Sequence, residues 1–410
     1  MTDARELLIR RIGAQGDGVA DLEGQSIFVP FTLPGERIEA EISGDRARLQ
    51  RVLAPSAERA APVCVHFGKC GGCTAQHMAP DTYAEWKRNL VADAFRARGL
   101  DPKVESLQRT AGKRRRAVTK AVRTPEGVAL GFYEASSHDL VAITECPVLE
   151  PSIVAALPAI GNLIAPLLSK RGEARVAITL TKAGLDVEIS GTERQLTPEV
   201  RTTLATKASD MKLARFSVGG ETVVATLPAF LTFGTADVVL PPGVFVQAVE
   251  EAEADIARRV VSAVGKAKAV ADLFCGLGAF TFPLAERSRV SAFDGDKAAI
   301  AALSAAVKKT SGLKPITATL RDLFRDPLSP LELNEHDAVV FDPPRAGAEA
   351  QSQRLARSKV KTIVAVSCNP ATLARDTRHL VDGGYRIESV TPIDQFLYSA
   401  HVEVVAVFRR

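Results

Sequence analysis

Two residues near the carboxyl end of the chain have the chemistry of a nucleophile and a base. Cys368 follows the apolar run Thr362–Ser367 and precedes Asn369-Pro370, where a helix is expected to begin. A thiol near a helix N-terminus has a lowered pKa and is reactive as the thiolate. Glu403 begins another apolar run, and a carboxylate within a buried sheet is suited to accept a proton. The pair predicts catalysis through a covalent thioether.

A glycine-containing turn upstream has features of a nucleotide site. Gly276 and Gly278 follow the apolar run Ala269–Phe274, and glycines let the backbone approach a ligand closely. Asp294 ends the next apolar run, where an acid can bond ribose hydroxyls, and Asp322 follows a third, where it can pair with an adenine amino group. The third glycine of a dinucleotide fingerprint is absent, which disfavours a nicotinamide cofactor.

A further run ends in Asp342-Pro343-Pro344-Arg345. The carboxyl ends of parallel strands are where substrates bind in open α/β sheets. An acid followed by two prolines at that place is typical of enzymes that present a planar base to a methyl donor. The alternative interpretation is a loop that the two prolines merely stiffen.

Four of the six cysteines form a separate set. Cys64, Cys70 and Cys73 lie within ten residues, and Cys146 precedes a proline. From spacing alone this set fits either a structural zinc or a [4Fe-4S] cluster. The remaining cysteine, Cys275, lies in the glycine turn.

The elements that must position these residues alternate between strand and helix after about residue 241. Strands are predicted at 269–274, 290–294, 338–342, 362–367 and 403–408, with helices at 280–287, 297–310, 348–358 and 371–382. Such alternation predicts a doubly wound parallel sheet, a Rossmann-like α/β domain over 241–410. The cysteine and glutamate would then lie at one edge of that sheet.

Two further domains are predicted. Residues 1–55 contain five short strands joined by glycine turns, which indicates a small β-barrel. Residues 56–240 form a central α+β domain with the cysteine cluster, a helix at 81–98 and a hairpin of strands 117–123 and 128–133.

Charge is unevenly distributed along a chain with a net charge of only +4. Residues 96–123 contain ten lysines and arginines against two acids. We expect Lys113–Arg116, Lys120 and Arg123 to contact phosphates, although a solvated basic face is the alternative. No apolar run approaches the ~20 residues of a membrane span, so the cytoplasm is the expected compartment.

Three motifs resemble those of the RNA uracil-5-methyltransferase family. Asp342–Gly347 and Ser367–Thr372 match its first signature, and Asp394–Glu403 matches its second. Leu397 and Ala365 depart from the family pattern, but both flank the chemical groups. The five N-terminal strands also resemble an RNA-binding TRAM domain, which has an OB-like barrel.

The resemblance implies methylation of uridine C5 in RNA, with S-adenosylmethionine as donor. Cys368 would attack C6 of the uracil, and Glu403 would remove the C5 proton. The implied cofactor contacts are Gln247, Phe274, Asp294, Asp322 and Asp342, beside the turn at Gly276 and Gly278. For Cys64, Cys70, Cys73 and Cys146 the resemblance implies a [4Fe-4S] cluster.

Several alternatives stay open at this point. The expected substrate is 23S ribosomal RNA and the expected state a monomer, while a transfer RNA uridine is the second candidate. A cytosine-5 methyltransferase would carry a further cysteine after Pro343, where this chain has Pro344. A non-catalytic RNA-binding protein with this fold would have lost Cys368 or Glu403.

Overall fold

A computed structural model of the protein describes residues 4–135 and 137–410. The first element is a closed barrel in the strand order β1-β2-β3-β5-β4. Its strands are β1 (Ala4–Ile12), β2 (Gly18–Leu22), β3 (Gln25–Val29), β4 (Arg37–Ser43) and β5 (Arg46–Ala54). Alternate residues such as Leu7, Ile9 and Ile38 fill its interior, as a period of two requires. The predicted small N-terminal barrel is confirmed.

A long helix connects the barrel to the rest of the molecule. After an irregular segment that carries three of the cysteines, α1 (Pro80–Arg96) begins with a proline in its first turn. The indole Nε1 of Trp86 in this helix donates to the carbonyl of Gly13 in the barrel, at 3.0 Å. Gly16 packs against the same indole ring. The barrel is therefore fastened to α1 rather than tethered loosely.

The central part contains a seven-stranded sheet in the order β13-β12-β11-β10-β7-β8-β9. Its strands are β7 (Arg116–Thr124), β8 (Gly127–Tyr133), β9 (Leu140–Ala142), β10 (Glu173–Thr181), β11 (Gly184–Ser190), β12 (Arg215–Val218) and β13 (Glu221–Ala225). Two helices, α2 (Pro151–Ile164) and α3 (Pro198–Asp210), pack their apolar side chains into its core. A hairpin of β14 (Phe230–Phe233) and β15 (Ala236–Val239) follows. The predicted hairpin of β7 and β8 is confirmed.

The C-terminal part is an eight-stranded sheet in the order β18-β17-β16-β19-β20-β22-β21-β6. Five strands are parallel neighbours: β16 (Ala269–Leu273), β17 (Arg289–Asp294), β18 (Ile316–Leu320), β19 (Ala338–Phe341) and β20 (Thr362–Ser367). The others are β22 (Glu403–Arg409), β21 (Arg386–Asp394) and β6 (Gln108–Arg109).

The sheet differs in two ways from the one predicted. β22 runs antiparallel to both β20 and β21, so the sheet is mixed rather than wholly parallel. β6, from far upstream, pairs parallel with the end of β21 and extends the sheet. The sequence did not indicate β21, whose residues alternate between exposed and buried at its start.

Helices cover both faces of this sheet. They are α4 (Glu250–Val264), α5 (Thr281–Ala285), α6 (Lys297–Val307), α7 (Pro330–Leu333), α8 (Glu349–Ala356) and α9 (Pro370–Asp382). The central strands β19, β20 and β22 are buried along almost their whole length because both of their faces are covered. Across residues 4–135 and 137–410, every helix is too short or too polar to cross a membrane.

Candidate active site

Cys368 and Glu403 lie at the same edge of the eight-stranded sheet and line one cavity. Cys368 follows the end of β20, and Glu403 begins the neighbouring antiparallel strand β22. The cavity has a volume of about 690 Å³ and is also lined by six of the seven predicted cofactor residues. These six are Gln247, Phe274, Gly276, Asp294, Asp322 and Asp342. A cavity of this size is in the range of small-molecule sites.

The glycine turn shows two different reasons for glycine. Gly276 has φ +52°, and a Cβ there would point into open space, so the turn leaves room for a ligand. Gly278 has φ +92°, and a Cβ would come within 2.8 Å of the Phe282 ring. Gly278 is not among the residues that line the cavity. Its conformation permits packing beneath the turn, and its role as a cofactor contact stays a prediction.

Asp294 holds the turn in place. Its Oδ2 accepts from the backbone N–H of Gly276 at 2.8 Å, and its Oδ1 accepts from that of Asp296 at 2.7 Å. Each carboxylate oxygen has a second lone pair, so these bonds leave capacity for a ligand hydroxyl. Asp322, across the cavity, caps its own loop by accepting from the N–H of Phe324 at 3.0 Å.

The side-chain amides of Gln247 and Gln395 link the carboxyl groups of Asp342 and Glu403. Gln247 Nε2 donates to Asp342 Oδ2 at 3.0 Å. Gln395 Nε2 donates both to Gln247 Oε1 at 2.9 Å and to Glu403 Oε2 at 2.5 Å. Glu403 Oε1 is buried and finds no hydrogen-bond partner within the described residues. One oxygen of Glu403 is thus fixed by an amide while the other is left for a substrate group.

Burial raises the pKa of both acids. Burial raises the pKa of Asp342 to about 7, against the bond from Gln247, which lowers it. The pKa of Glu403 is raised well above its usual value, first by burial and then by the charge of Asp342. Two carboxyls that share a poorly solvated cavity do not ionise together easily. A base at this place needs a positive charge nearby before it can act.

The expectation of a lowered pKa for Cys368 is wrong for the protein alone. Burial, followed by the charges of Glu403 and Asp342, raises the pKa of the thiol to about 11, and Arg345 only partly opposes this. Helix α9 does begin beside the thiol, but Asn369 Oδ1 accepts from its first free N–H, that of Ala371. The cap thereby satisfies a donor that would otherwise stabilise the thiolate.

Cys368 also opens onto a second cavity, a cleft of about 960 Å³. One wall is the end of barrel strand β1, with Arg10 and Arg11, and the turn after it, and the other wall is helix α1. Three residues line both cavities: Arg345, Cys368 and His401. Arg345 Nη2 lies 2.7 Å from His401 Nε2. The thiol is therefore reachable from two sides, through a passage bordered by this pair.

Sequence reasoning missed several residues at this passage. Arg345 and His401 lie inside the quoted motifs but had no assigned role, and Gln395 was likewise unassigned although it lies next to Asp394. The signal was their position in motifs at strand ends, because such positions face the site. Lys87, in α1, has no comparable signal in the sequence.

The four predicted cluster ligands are brought together. Cys64, Cys70, Cys73 and Cys146 line one small cavity of about 60 Å³ between the irregular segment and the central sheet. Across the described ranges, however, no group of three or more His, Cys, Asp or Glu is arranged to hold a metal ion. The iron–sulfur cluster therefore stays a prediction.

The basic stretch is mostly not a free surface. Arg115 is 3% exposed, and its guanidinium donates to Glu253 Oε1 at 2.9 Å. The guanidinium of Arg114 lies over the Phe396 ring, and that of Arg116 over the Phe245 ring. Lys113 is exposed. Phosphate contacts from Arg115 are thus excluded because its charge is already paired and buried.

Comparison with known proteins connects this geometry to a family. The model for tRNA (uracil-5-)-methyltransferase matches residues 243–410, and the TRAM domain model matches residues 3–48. A solved structure, a tRNA (uracil-54, C5)-methyltransferase of Pyrococcus abyssi in complex with S-adenosyl-L-homocysteine, is 25% identical. It has a TM-score of 0.75 and covers 98% of this chain and 100% of its own.

Two relatives extend the likeness over nearly the whole length. An RNA methyltransferase of Brucella suis is 49% identical over 406 residues, which are 99% of this chain and 98% of the relative. The 23S rRNA (uracil(1939)-C(5))-methyltransferase RlmD of Chromohalobacter salexigens is 34% identical, over 98% of this chain and 89% of its own. With its cysteine and glutamate at one sheet edge and its barrel at the N-terminus, the chain belongs to the RNA uracil-5-methyltransferase family.

Proposed function

We propose that the protein methylates C5 of a uridine in 23S ribosomal RNA, with S-adenosylmethionine as the donor. The observation that carries the proposal is the position of Cys368 between two cavities, with Glu403 lining the one beneath it. A covalent C5 methylation suits this arrangement, because a base bonded to Cys368 through C6 must present its C5 to the donor and to Glu403.

The smaller cavity fits S-adenosylmethionine by its chemistry. It combines aromatic walls, Phe274 against Phe324, with Asp294 and Asp322 at successive strand ends. Carboxylates at these positions suit ribose and adenine groups. S-adenosylmethionine supplies an electrophilic methyl group on a positively charged sulfonium. A positive charge in this cavity favours ionised Asp342 and Glu403, which burial alone disfavours.

The chain's own residues then account for the reaction. The thiolate of Cys368 bonds to uracil C6, and the electrons of the C5–C6 double bond move toward C5 and O4 as an enolate. C5 thereby becomes the nucleophile that takes the methyl group. Glu403 then removes the C5 proton, the C5–C6 double bond reforms, and the bond from C6 to sulfur breaks to release the thiolate.

The larger cleft supports RNA as the occupant of the other side. Arg10 and Arg11 on its barrel wall are exposed and carry positive charge. Positively charged grooves follow the backbone of single-stranded RNA. The target base must leave its stack to reach Cys368, so an unpaired uridine should react more readily than a paired one. In this proposal residues 1–55 and 56–240 bind RNA and residues 241–410 catalyse.

Ribosomal RNA is proposed ahead of transfer RNA for one reason. The relative named for 23S rRNA is 34% identical to this chain, whereas the structure named for tRNA is 25% identical. The second candidate is favoured by the close overall fold of that tRNA enzyme.

One experiment separates these substrates. Purified protein is incubated with methyl-labelled donor and with 23S ribosomal RNA or transfer RNA from cells that lack the enzyme. We expect 5-methyluridine in the ribosomal RNA at a single position. Label only in transfer RNA would select the second candidate, and 5-methylcytidine would contradict the proposal.

We also propose that Cys64, Cys70, Cys73 and Cys146 hold a [4Fe-4S] cluster. The support is that all four thiols line one cavity, with burial and the charge of its neighbours raising the pKa of Cys73 to about 11. Bound metal compensates thiolate charge. Protein purified without oxygen should be brown and contain about four irons per chain. A colourless protein with one tightly held zinc would contradict this assignment.

A further inference from the structure

A lysine of helix α1 is completely buried against the catalytic loop. The side chain of Lys87 has 0% exposure. Its ammonium donates to Asp394 Oδ1 at 2.5 Å, to the carbonyl of Phe396 at 2.9 Å and to the carbonyl of His401 at 2.7 Å. An ammonium has three N–H donors, so three acceptors satisfy it fully.

The three acceptors surround the loop that carries the base. Asp394 ends β21, and Gln395, which follows it, donates to Glu403. His401 lies two residues before Glu403, at the other end of the same loop. Lys87 thus joins the two ends of the segment between β21 and β22. If these ends separate, Gln395 and Glu403 no longer face each other at hydrogen-bond distance.

Tyr83, one helical turn before Lys87 in α1, also contacts Asp394. The Tyr83 hydroxyl donates to Asp394 Oδ1 at 3.0 Å and accepts from the backbone N–H of Tyr398, also at 3.0 Å. Tyr83 and Lys87 are four residues apart and lie on one face of the helix. The same helix lines the RNA cleft with Trp86 and Asn89.

A buried charge is a costly way to pack a helix. Apolar residues of similar volume are often as stabilising as a buried ion pair, so stability alone does not call for Lys87. The ammonium donates to two carbonyls and one carboxylate, so it fixes the positions of these three groups relative to one another. The ends of the loop are also held by the pairing of Ile393 with Glu403. The geometry of the loop therefore depends in part on a residue outside residues 241–410.

We propose that Lys87 is a positioning residue for removal of the C5 proton. It holds the loop so that Gln395 keeps Glu403 directed at C5, while Cys368, on the separate β20–α9 connection, does not depend on it. The proposal rests on the proposed uridine chemistry. In the affected step Glu403 takes the C5 proton, the C–H electrons reform the C5–C6 double bond, and Cys368 leaves as thiolate.

The test compares two RNA substrates with the variant Lys87→Met. In 5-fluorouridine RNA the fluorine at C5 cannot be removed as a cation, so the methylated covalent adduct accumulates without any proton removal. Turnover on ordinary uridine RNA needs every step. We expect Lys87→Met to slow turnover about 100-fold, as a misplaced group does, and to slow adduct formation by less than about threefold.

Arg215→Met is the matched control. Arg215 is a buried cation of similar depth that bonds to Asp186 Oδ2 at 2.6 Å in the central sheet. Its loss should destabilise the fold comparably but reduce turnover and adduct formation equally, if at all. The proposal would be overturned if the ratio of turnover rate to adduct-formation rate were the same in Lys87→Met and Arg215→Met.

Two further outcomes are separable. If the wild-type protein forms no adduct with 5-fluorouridine RNA, the proposed function fails before Lys87 is at issue. If Lys87→Met does not fold, Asp394→Asn replaces it, because an asparagine keeps the acceptor and removes the charge. That variant should show the same selective loss of turnover, about tenfold, and an unchanged turnover would refute the positioning role.

Discussion

Buried charged groups near Cys368 fall into two regions that differ in their partners. At the floor of the donor cavity, Asp342 and Glu403 receive hydrogen bonds from the side-chain amides of Gln247 and Gln395. Behind that cavity, the buried ammonium of Lys87 faces a carboxylate. Glu403 and Lys87 are both almost fully buried, so depth alone does not distinguish the two regions.

The type of hydrogen-bond partner, an amide or an opposite charge, indicates the role of each region. An amide carries no net charge, so it can bond to a carboxyl in either protonation state and leaves the proton free to move. An ion pair is disrupted when either member loses its charge. Amide-partnered acids therefore suit proton transfer, and ion-paired groups suit the fixing of shape.

The largest effect is expected when Cys368, the proposed nucleophile beside Asp342 and Glu403, is replaced. Cys368→Ala should reduce methylation to background and form no covalent adduct, because no thiolate can attack C6. The measurements are methyl incorporation into RNA and denaturing gel electrophoresis of protein–RNA mixtures, which detects the adduct. Retained donor binding shows that the cavity itself is intact. Residual adduct would mean that another residue is the nucleophile.

Replacing the base should stop the reaction one stage later. In Glu403→Gln the amide keeps the shape but removes the basicity, so turnover should fall by about 10³-fold while attack and methyl transfer continue. A protein–RNA band that survives denaturation should accumulate. Normal turnover in this variant would transfer the role to His401 or to a water held by Asp342.

The ion pair between Arg115 and Glu253 should affect stability rather than RNA binding. Arg115→Met leaves Glu253 buried without its partner and should lower the free energy of unfolding by about 3–5 kcal/mol. The slope of RNA affinity against salt concentration should stay unchanged. Lys113→Ala is the matched control: this exposed lysine should leave stability unchanged and reduce the slope by about one unit. The reverse result would return Arg115 to the phosphate-binding surface.

The smallest expected effect concerns how pH acts on the buried acids. The pKa of Asp342 is about 7 in the folded protein, against 3.8 ordinarily. Between these values the folded state holds a proton that the unfolded chain releases, so stability falls as pH rises. Asp342→Asn should lack this contribution and gain on the order of 2 kcal/mol relative to wild type at pH 8. Denaturant unfolding of both proteins at pH 4 and pH 8 measures this difference. An equal change in the free energy of unfolding between the two pH values in both proteins would contradict the prediction.

Much of the site could be predicted because it is built from strand ends. Asp294, Asp342 and Cys368 each follow an apolar run, and parallel strands bring such positions to one edge. The barrel was predictable for a similar reason, since alternating residues and glycine turns are local signals.

What could not be predicted depends on contacts between distant residues. Gln247 and Gln395 are 148 positions apart, and no local pattern indicates that their amides meet. The burial of Arg115 follows from its pairing with a helix 138 residues away. The raised pKa of Cys368 likewise arises first from burial and then from the carboxyls of Glu403 and Asp342, which are distant in sequence. Only the assembled fold reveals these effects.

The passage bordered by Arg345 and His401 has a consequence for the order of events during catalysis. Because the donor cavity and the cleft open on opposite sides of Cys368, neither ligand needs to leave for the other to exchange. Steady-state kinetics should therefore follow a random rather than a compulsory sequence of binding. The spent donor should inhibit competitively only against fresh donor, and methylated RNA only against unmodified RNA.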